Sequence, residues 1–122
     1  MLADAKLVAF LATTNAERTR AFFQDTLGLR LESDDDFALV FDANGTSLRI
    51  AKVQEVSLAP YTVLGWHVAD VRATVVALTA KGVVFERFEG MGQDADGIWS
   101  PGGGQGVAWF KDPEGQLLSV SG

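Results

Sequence analysis

Few side chains in this sequence are equipped for chemistry, and they are spread along its whole length. There is one histidine, His67, and no cysteine. His67 can act as a general base or give a hydrogen bond to a ligand, or it can be a half-exposed strand residue without chemistry. Arg49 can hold an anionic ligand group or a polarised carbonyl, or it can pair with an acid such as Glu32 or Asp36. Trp99 stands in the stretch Glu89–Gly106, rich in glycine, where burial against a core is hard to arrange, so its ring is available to stack on a flat ligand. Trp66 reads as core. Asp94 and Asp96 read as solvated. The absence of cysteine removes disulfides, zinc–thiolate sites, iron–sulfur clusters and a thiol nucleophile. No serine sits in a nucleophile elbow, and Gly102-Gly103-Gly104 lacks the Lys-Ser/Thr of a phosphate loop.

Composition narrows the partners. The chain has 122 residues, of which 48% are hydrophobic, enough for one domain with a genuine core. Its formal net charge is −6, which argues against nucleic acid and against anionic membranes as partners. The run Asp34-Asp35-Asp36 reads as a solvated turn. Met1–Lys6 has neither a basic start nor a long apolar stretch, so no leader or membrane span is expected and a cytoplasmic location is.

These residues need elements to position them, and the elements come twice. Residues 7–12 read as a strand. Thr14-Asn15-Ala16-Glu17 follows with capping-box spacing, and Ala16, Phe23 and Leu27 recur at helical spacing up to Gly28. Strands are expected near 29–31, 37–41 and 47–52, the last two joined through Asn44-Gly45. The second half repeats the order: a strand at 63–68, a helix capped by Asp70 with Val71, Val75 and Leu78 in its stripe, and strands near 83–85, 107–111 and 116–120. The turn Asp112-Pro113-Glu114-Gly115 joins the last two. Val8 plus 55 is Val63, and Asn15 plus 55 is Asp70; Gly45 plus 70 is Gly115. The fifteen-residue excess falls in 89–106, which reads as a lid-like loop. The expectation is one domain over 1–122: module one at about 5–53, a linker at 54–61, and module two at about 62–121.

Strand alternation then sorts the faces. Leu48, Ile50, Leu64, Trp66, Leu118 and Val120 should pack under the helices. Val8, Phe10, Ala12, Ser47, Arg49, Val63, Gly65, His67, Leu117 and Ser119 should line a mostly apolar cavity, the usual make-up of a small-molecule site.

Two segments of the chain carry a family likeness. Ala21-Phe-Phe-Gln-Asp-Thr-Leu-Gly28 resembles the helix end, and Val107-Ala-Trp-Phe-Lys-Asp-Pro-Glu-Gly115 the last hairpin, of the vicinal oxygen chelate superfamily, which includes glyoxalases, extradiol dioxygenases and bleomycin-resistance proteins. The resemblance spans essentially the whole chain. It implies an α+β fold of two tandem βαβββ modules forming a cupped, mostly antiparallel mixed sheet with helices on its outer face, and a homodimer. In the metalloenzymes of that superfamily four strand positions carry the metal ligands. Here the matching residues are Val8, Arg49, Val63 and Ser119, which are not a donor set for a divalent ion.

The leading expectation is therefore metal-independent binding of a small, flat, largely apolar or antibiotic-like molecule, with no cofactor. Phe10, Arg49, Gly65, His67, Trp99, Leu117 and Ser119 are its expected contacts. One alternative is a glyoxalase-like lyase or isomerase with His67 as base and Arg49 as anion stabiliser. Another is a degenerate domain that serves only dimerisation.

Overall fold

The computed structural model describes residues 1–122 and has two compact units, Met1–Ser57 and Leu58–Gly122. The first contains β1 (Val8–Thr13), α1 (Ala16–Ala21), β2 (Arg30–Asp34), β3 (Ala38–Ala43) and β4 (Thr46–Lys52). The second contains β5 (Leu64–His67), α2 (Val71–Ala80), β6 (Trp99–Gly102), β7 (Gln105–Lys111) and β8 (Leu117–Ser121). Each is a βαβββ unit with one four-stranded mixed sheet, ordered β1-β4-β3-β2 in the first and β5-β8-β7-β6 in the second. β1 runs parallel to β4, and β5 parallel to β8, because the connection through a helix returns the chain in the same direction; the hairpins are antiparallel. The α+β class expected from the sequence is the class observed.

In the first unit Leu11, Leu39, Phe41, Leu48 and Ile50 are buried together with Phe23 of the helical segment. Phe23 and Phe41 pack with ring centroids 5.8 Å apart. The helix cap falls one residue later than the capping-box spacing suggests: the Asn15 side chain accepts from the Arg18 backbone N–H at 3.1 Å. Thr13 explains the shift. Its hydroxyl accepts from the Asn15 N–H at 3.0 Å and shares a buried 2.7 Å hydrogen bond with Thr19, tying the end of β1 to α1. Residues Phe22–Thr26 then widen into a π-helical turn, which sequence periodicity does not signal.

In the second unit Asp70 caps α2 as expected, accepting from the Ala73 N–H at 3.0 Å. Val71 and Val75 are buried, with Ala108, Phe110, Leu118 and Val120 beneath them in the same core. Trp66 lies on this face, its ring 6.4 Å from that of Phe110. Asp112 holds the last turn: its carboxylate accepts from the backbone N–H groups of Glu114 and Gln116 and from Gln116 Nε2. Burial pushes the Asp112 carboxyl above its ordinary pKa, while the hydrogen bonds from Gln116 and Glu114 act in the opposite sense.

Two expectations need correction. Residues 83–85 form no strand and contribute a single bridge, Phe85 to Phe110. The stretch 89–106 is not a loop throughout. Its second half is strand: Trp99 pairs with Val107 and Gly102 with Gln105, so β6 and β7 make a hairpin. Its first half is fastened rather than free. Arg72 on α2 binds Asp94 at 2.6 Å and Asp96 at 2.5 Å, Arg87 donates to the Asp94 and Ala95 carbonyls, and the Gln93 amide bridges the carbonyls of Glu86 and Gly97. Asp94 and Asp96 are thus ion-paired, not merely solvated.

Candidate functional site

In each unit the helix covers one face of the sheet, and the opposite face carries the candidate residues. In the first unit Phe10 on β1 stands beside Arg49 on β4, and Arg49 stands beside Val40 on β3. Val8 is next to Ser47, and Ala12 next to Ala51. Phe10 is 63% exposed, a large value for a phenylalanine. A hollow of about 460 Å³ opens on this face, with Val8, Val40, Ser47 and Arg30 in its lining. Phe10 and Arg49, both expected as contacts, are direct neighbours here.

The second unit arranges its open face in cross-strand rows. His67, Ser121, Val107 and Trp99 form one, in that order across β5, β8, β7 and β6. Gly65, Ser119 and Trp109 form the next, and Leu117 pairs with Lys111 in a third. His67, Gly65, Ser119, Leu117 and Trp99 are therefore brought to one surface. A Cβ on Gly65 would lie 2.6 Å from Ser119 Oγ, so the glycine leaves that hydroxyl its place. A hollow of about 220 Å³ beside His67 is lined by Pro101, Gln105, Val107 and Ser121.

Two more residues join this face: Trp109, which the sequence offers as a second stacking ring but more readily as core, and Phe88, which was not expected. Trp109 and Trp99 lie with centroids 6.4 Å apart, and Phe88 meets Trp109 edge-on at 5.4 Å. The Trp109 Nε1–H is held by Thr62 Oγ1 at 3.1 Å, which fixes the ring while leaving it half-buried. The signal for Trp109 was present in β7: Ala108 and Phe110 belong to the core, so the residue between them must point the other way. Phe88 carries no such signal, because it lies outside any strand and reaches the cluster only through the loop.

The positions that the resemblance marks for metal ligands hold Val8, Arg49, Val63 and Ser119. Two are hydrocarbon, one is cationic and one is a lone hydroxyl, so their chemistry does not fit a divalent cation. No group of three or more His, Asp or Glu side chains elsewhere is arranged to hold a metal ion.

With this geometry in view, the comparison with known families is decisive. The model of the glyoxalase/bleomycin resistance protein/dioxygenase superfamily matches residues 6–120. The chain belongs to that superfamily. Solved structures of the superfamily share its fold. Lactoylglutathione lyase from Agrobacterium tumefaciens is similar with a TM-score of 0.74 and 15% identity, over 97% of this chain and 92% of that one. An antibiotic binding protein from a Streptomyces species gives a TM-score of 0.71 and 18% identity, over 98% and 96%. A glyoxalase family protein from Enterococcus faecalis gives 0.69 and 16%, over 96% and 94%. At these identities the superfamily likeness concerns fold, since one scaffold hosts several chemistries. Comparison with curated protein sequences found no significant match. No helix of this superfamily member is long and apolar enough to cross a membrane.

Proposed function

We propose that this superfamily member binds a flat, largely apolar small molecule and does so without a metal. The observation that carries the reading is the aromatic surface on the open face of the second sheet: Trp99 and Trp109 stand in the same rows as His67, Ser121 and Ser119, and Phe88 packs edge-on against Trp109 from the loop. Half-buried rings with an edge of hydroxyl and imidazole groups suit a planar ligand that carries a few polar atoms. The unsuitable donors at the four metal positions support binding over metal-assisted turnover. That a fold relative is an antibiotic binding protein is consistent with this reading. Within residues 89–106, Trp99 on β6 would be the ring that meets the ligand.

The test is a titration with N-phenyl-1-naphthylamine, a flat neutral fluorophore, followed by a panel of planar antibiotics. Saturable quenching of tryptophan emission and a rise in Tm are expected. Neither response to any compound would remove the proposal. A stoichiometric metal in the purified protein, with glyoxalase turnover lost in His67→Ala, would replace it with the enzymatic reading.

A homodimer belongs to the same proposal. β1 and β5 each stand at an edge of their sheet, and Leu7, Val8 and Phe10 are exposed apolar residues at the first of these. A cytoplasmic dimer is expected; sedimentation velocity showing only monomer at micromolar concentration would exclude the dimer.

A further inference from the structure

The three rings of the aromatic surface come from separate stretches of the second unit, and one side chain ties those stretches together. Gln93 is half-buried in the segment between Phe88 and Trp99. Its amide offers a carbonyl oxygen and two N–H donors, and all three are used on backbone groups. Oε1 accepts from the Phe88 N–H at 2.7 Å. Nε2 donates to the Glu86 carbonyl at 2.9 Å and to the Gly97 carbonyl at 2.8 Å. Each of these partners leads to a ring. Phe88 carries its own. Glu86 donates its backbone N–H to the Trp109 carbonyl at 2.7 Å. Gly97 is followed by Ile98, whose N–H donates to the Asp94 carboxylate at 3.0 Å, and then by Trp99.

The far end of the segment is closed as well. The Asp94 N–H donates to the Ile98 carbonyl at 2.9 Å, and the Gly97 N–H to the Asp94 carbonyl at 3.0 Å. This turn needs φ +89° at Gly97, a conformation that glycine adopts without steric cost. Arg72 and Arg87 grip this end from outside and are exposed, whereas the Gln93 amide joins both ends from a half-buried place, where water competes less for its hydrogen bonds. We propose that Gln93 is the positioning residue of the aromatic surface. It closes Glu86–Gly97 into a clasp that sets Phe88 and Trp99 against Trp109 before a ligand arrives, so the rings form a fixed platform and the segment does not open and close as a lid. The inference rests on the small-molecule reading above and names how its site is kept ready. A platform ordered in advance spares the complex the entropy of ordering it, which raises affinity without a new contact.

Amide hydrogen exchange in the intact, ligand-free protein reads the clasp directly. The Phe88 N–H is expected to exchange at least about tenfold slower than an unstructured amide, and to stay within about threefold of that rate when N-phenyl-1-naphthylamine saturates the protein. Gln93→Met, of similar length and without the amide, should lift this protection and weaken the probe about fivefold, while the amides of the β7–β8 pairing keep theirs. In a Trp99→Ala background the same substitution should weaken the probe less than about twofold, because a residue that acts through Trp99 has little left to position. An equal loss of affinity in both backgrounds, or none in either, overturns the positioning role and leaves the binding reading standing. A Phe88 N–H that is unprotected in the free protein and slows only when the probe binds makes the segment a lid and overturns the proposal, whether or not the variant folds. Failure of the probe to bind the intact protein removes the binding reading itself, and the role of the clasp in recognition with it, even where the Phe88 N–H is protected.

Discussion

The two units place different chemistry at matching positions. Phe10 plus 55 is Gly65, and Arg49 plus 70 is Ser119, and the structure pairs Phe10 with Arg49 and Gly65 with Ser119 in the same parallel register. In the first unit a large exposed ring and a long cation stand there. In the second a bare glycine and a hydroxyl do. The third residue in each row reverses the contrast, Val40 in the first unit and Trp109 in the second. A duplicated backbone has therefore been furnished with a charged face and an aromatic one. The helix-side residues diverge less: both copies bury mainly apolar side chains there, with the hydrogen-bonded Thr13–Thr19 pair an exception in the first. The side chains differ where the fold makes no demand.

The widest expected effects concern what the copies share. Phe41 and Phe110 are each fully buried beneath a helix. Phe41→Ala and Phe110→Ala should each cost about 3–5 kcal/mol, read from urea denaturation followed by far-ultraviolet circular dichroism. A cost near zero for either would mean that its unit is not packed as the other is.

Next come the faces that differ. Trp99→Ala should weaken N-phenyl-1-naphthylamine about tenfold, through loss of a stacking surface next to Trp109. Phe10→Ala should change the affinity for this neutral probe less, because no second ring stands against it in the cross-strand row. If Phe10→Ala proved the more damaging substitution, the aromatic face would have been assigned to the wrong unit.

Much of this contrast is legible in the sequence. Strand alternation sends Leu48 and Ile50 to the helix side of the first sheet and Phe10 and Arg49 to its open side, and in the second sheet it sends Leu64, Trp66, Leu118 and Val120 to the helix side and Gly65, His67, Leu117 and Ser119 to the open side, because a pleated strand has no freedom in which side each residue takes. Asp70 marks its helix start because few residues can satisfy those N–H groups. What escapes is non-local. Ser100-Pro101-Gly102-Gly103-Gly104 has the composition of a loop, and only pairing with β7 makes its first half a strand. The grip of Arg72 on Asp94 and Asp96 joins residues more than twenty positions apart. Arg49 shows its type in the sequence, but not that it forms no ion pair with Glu32 or Asp36.

A subtler difference lies at Gly65. Gly65→Ala would set a Cβ 2.6 Å from Ser119 Oγ, so the hydroxyl must rotate from its place. The expected cost is about 1 kcal/mol, comparable to an off-rotamer side chain. In a Ser119→Ala background the clash is gone, and the alanine should be neutral or slightly stabilising through its stiffer unfolded chain. A double-mutant cycle in urea measures the coupling. The same cost in both backgrounds would show that the glycine serves the backbone and not the hydroxyl, and the contrast with Phe10 would lose its explanation.

The smallest effect separates the acid clamps of the two units. Lys52 and Arg20 hold Asp34 in the first, lowering its carboxyl below the ordinary 3.8 against a smaller opposing influence of burial. In the second, Arg72 foremost does the same for Asp94, with the Ile98 and Asp96 N–H groups assisting. A depressed carboxyl contributes stability that is present above pH 3.8 and is lost as pH falls through the lowered value. Asp112, raised by burial, works in the opposite sense: its proton is taken up earlier in the folded protein, so acidification relieves the strain of its buried charge. These clamps are solvent-exposed, so the change is expected in local structure more than in global stability. All three tryptophans, Trp66, Trp99 and Trp109, lie in the second unit, and Trp99 follows directly on the Ile98 that Asp94 holds. Tryptophan emission should therefore shift below pH 3.8 in the intact protein, with the shifted spectrum already present at pH 7 in Arg72→Ala. Asp34→Asn should leave this response as it is. A response abolished by Asp34→Asn and untouched by Arg72→Ala would place the acid-sensitive element in the first unit, where the aromatic face is not.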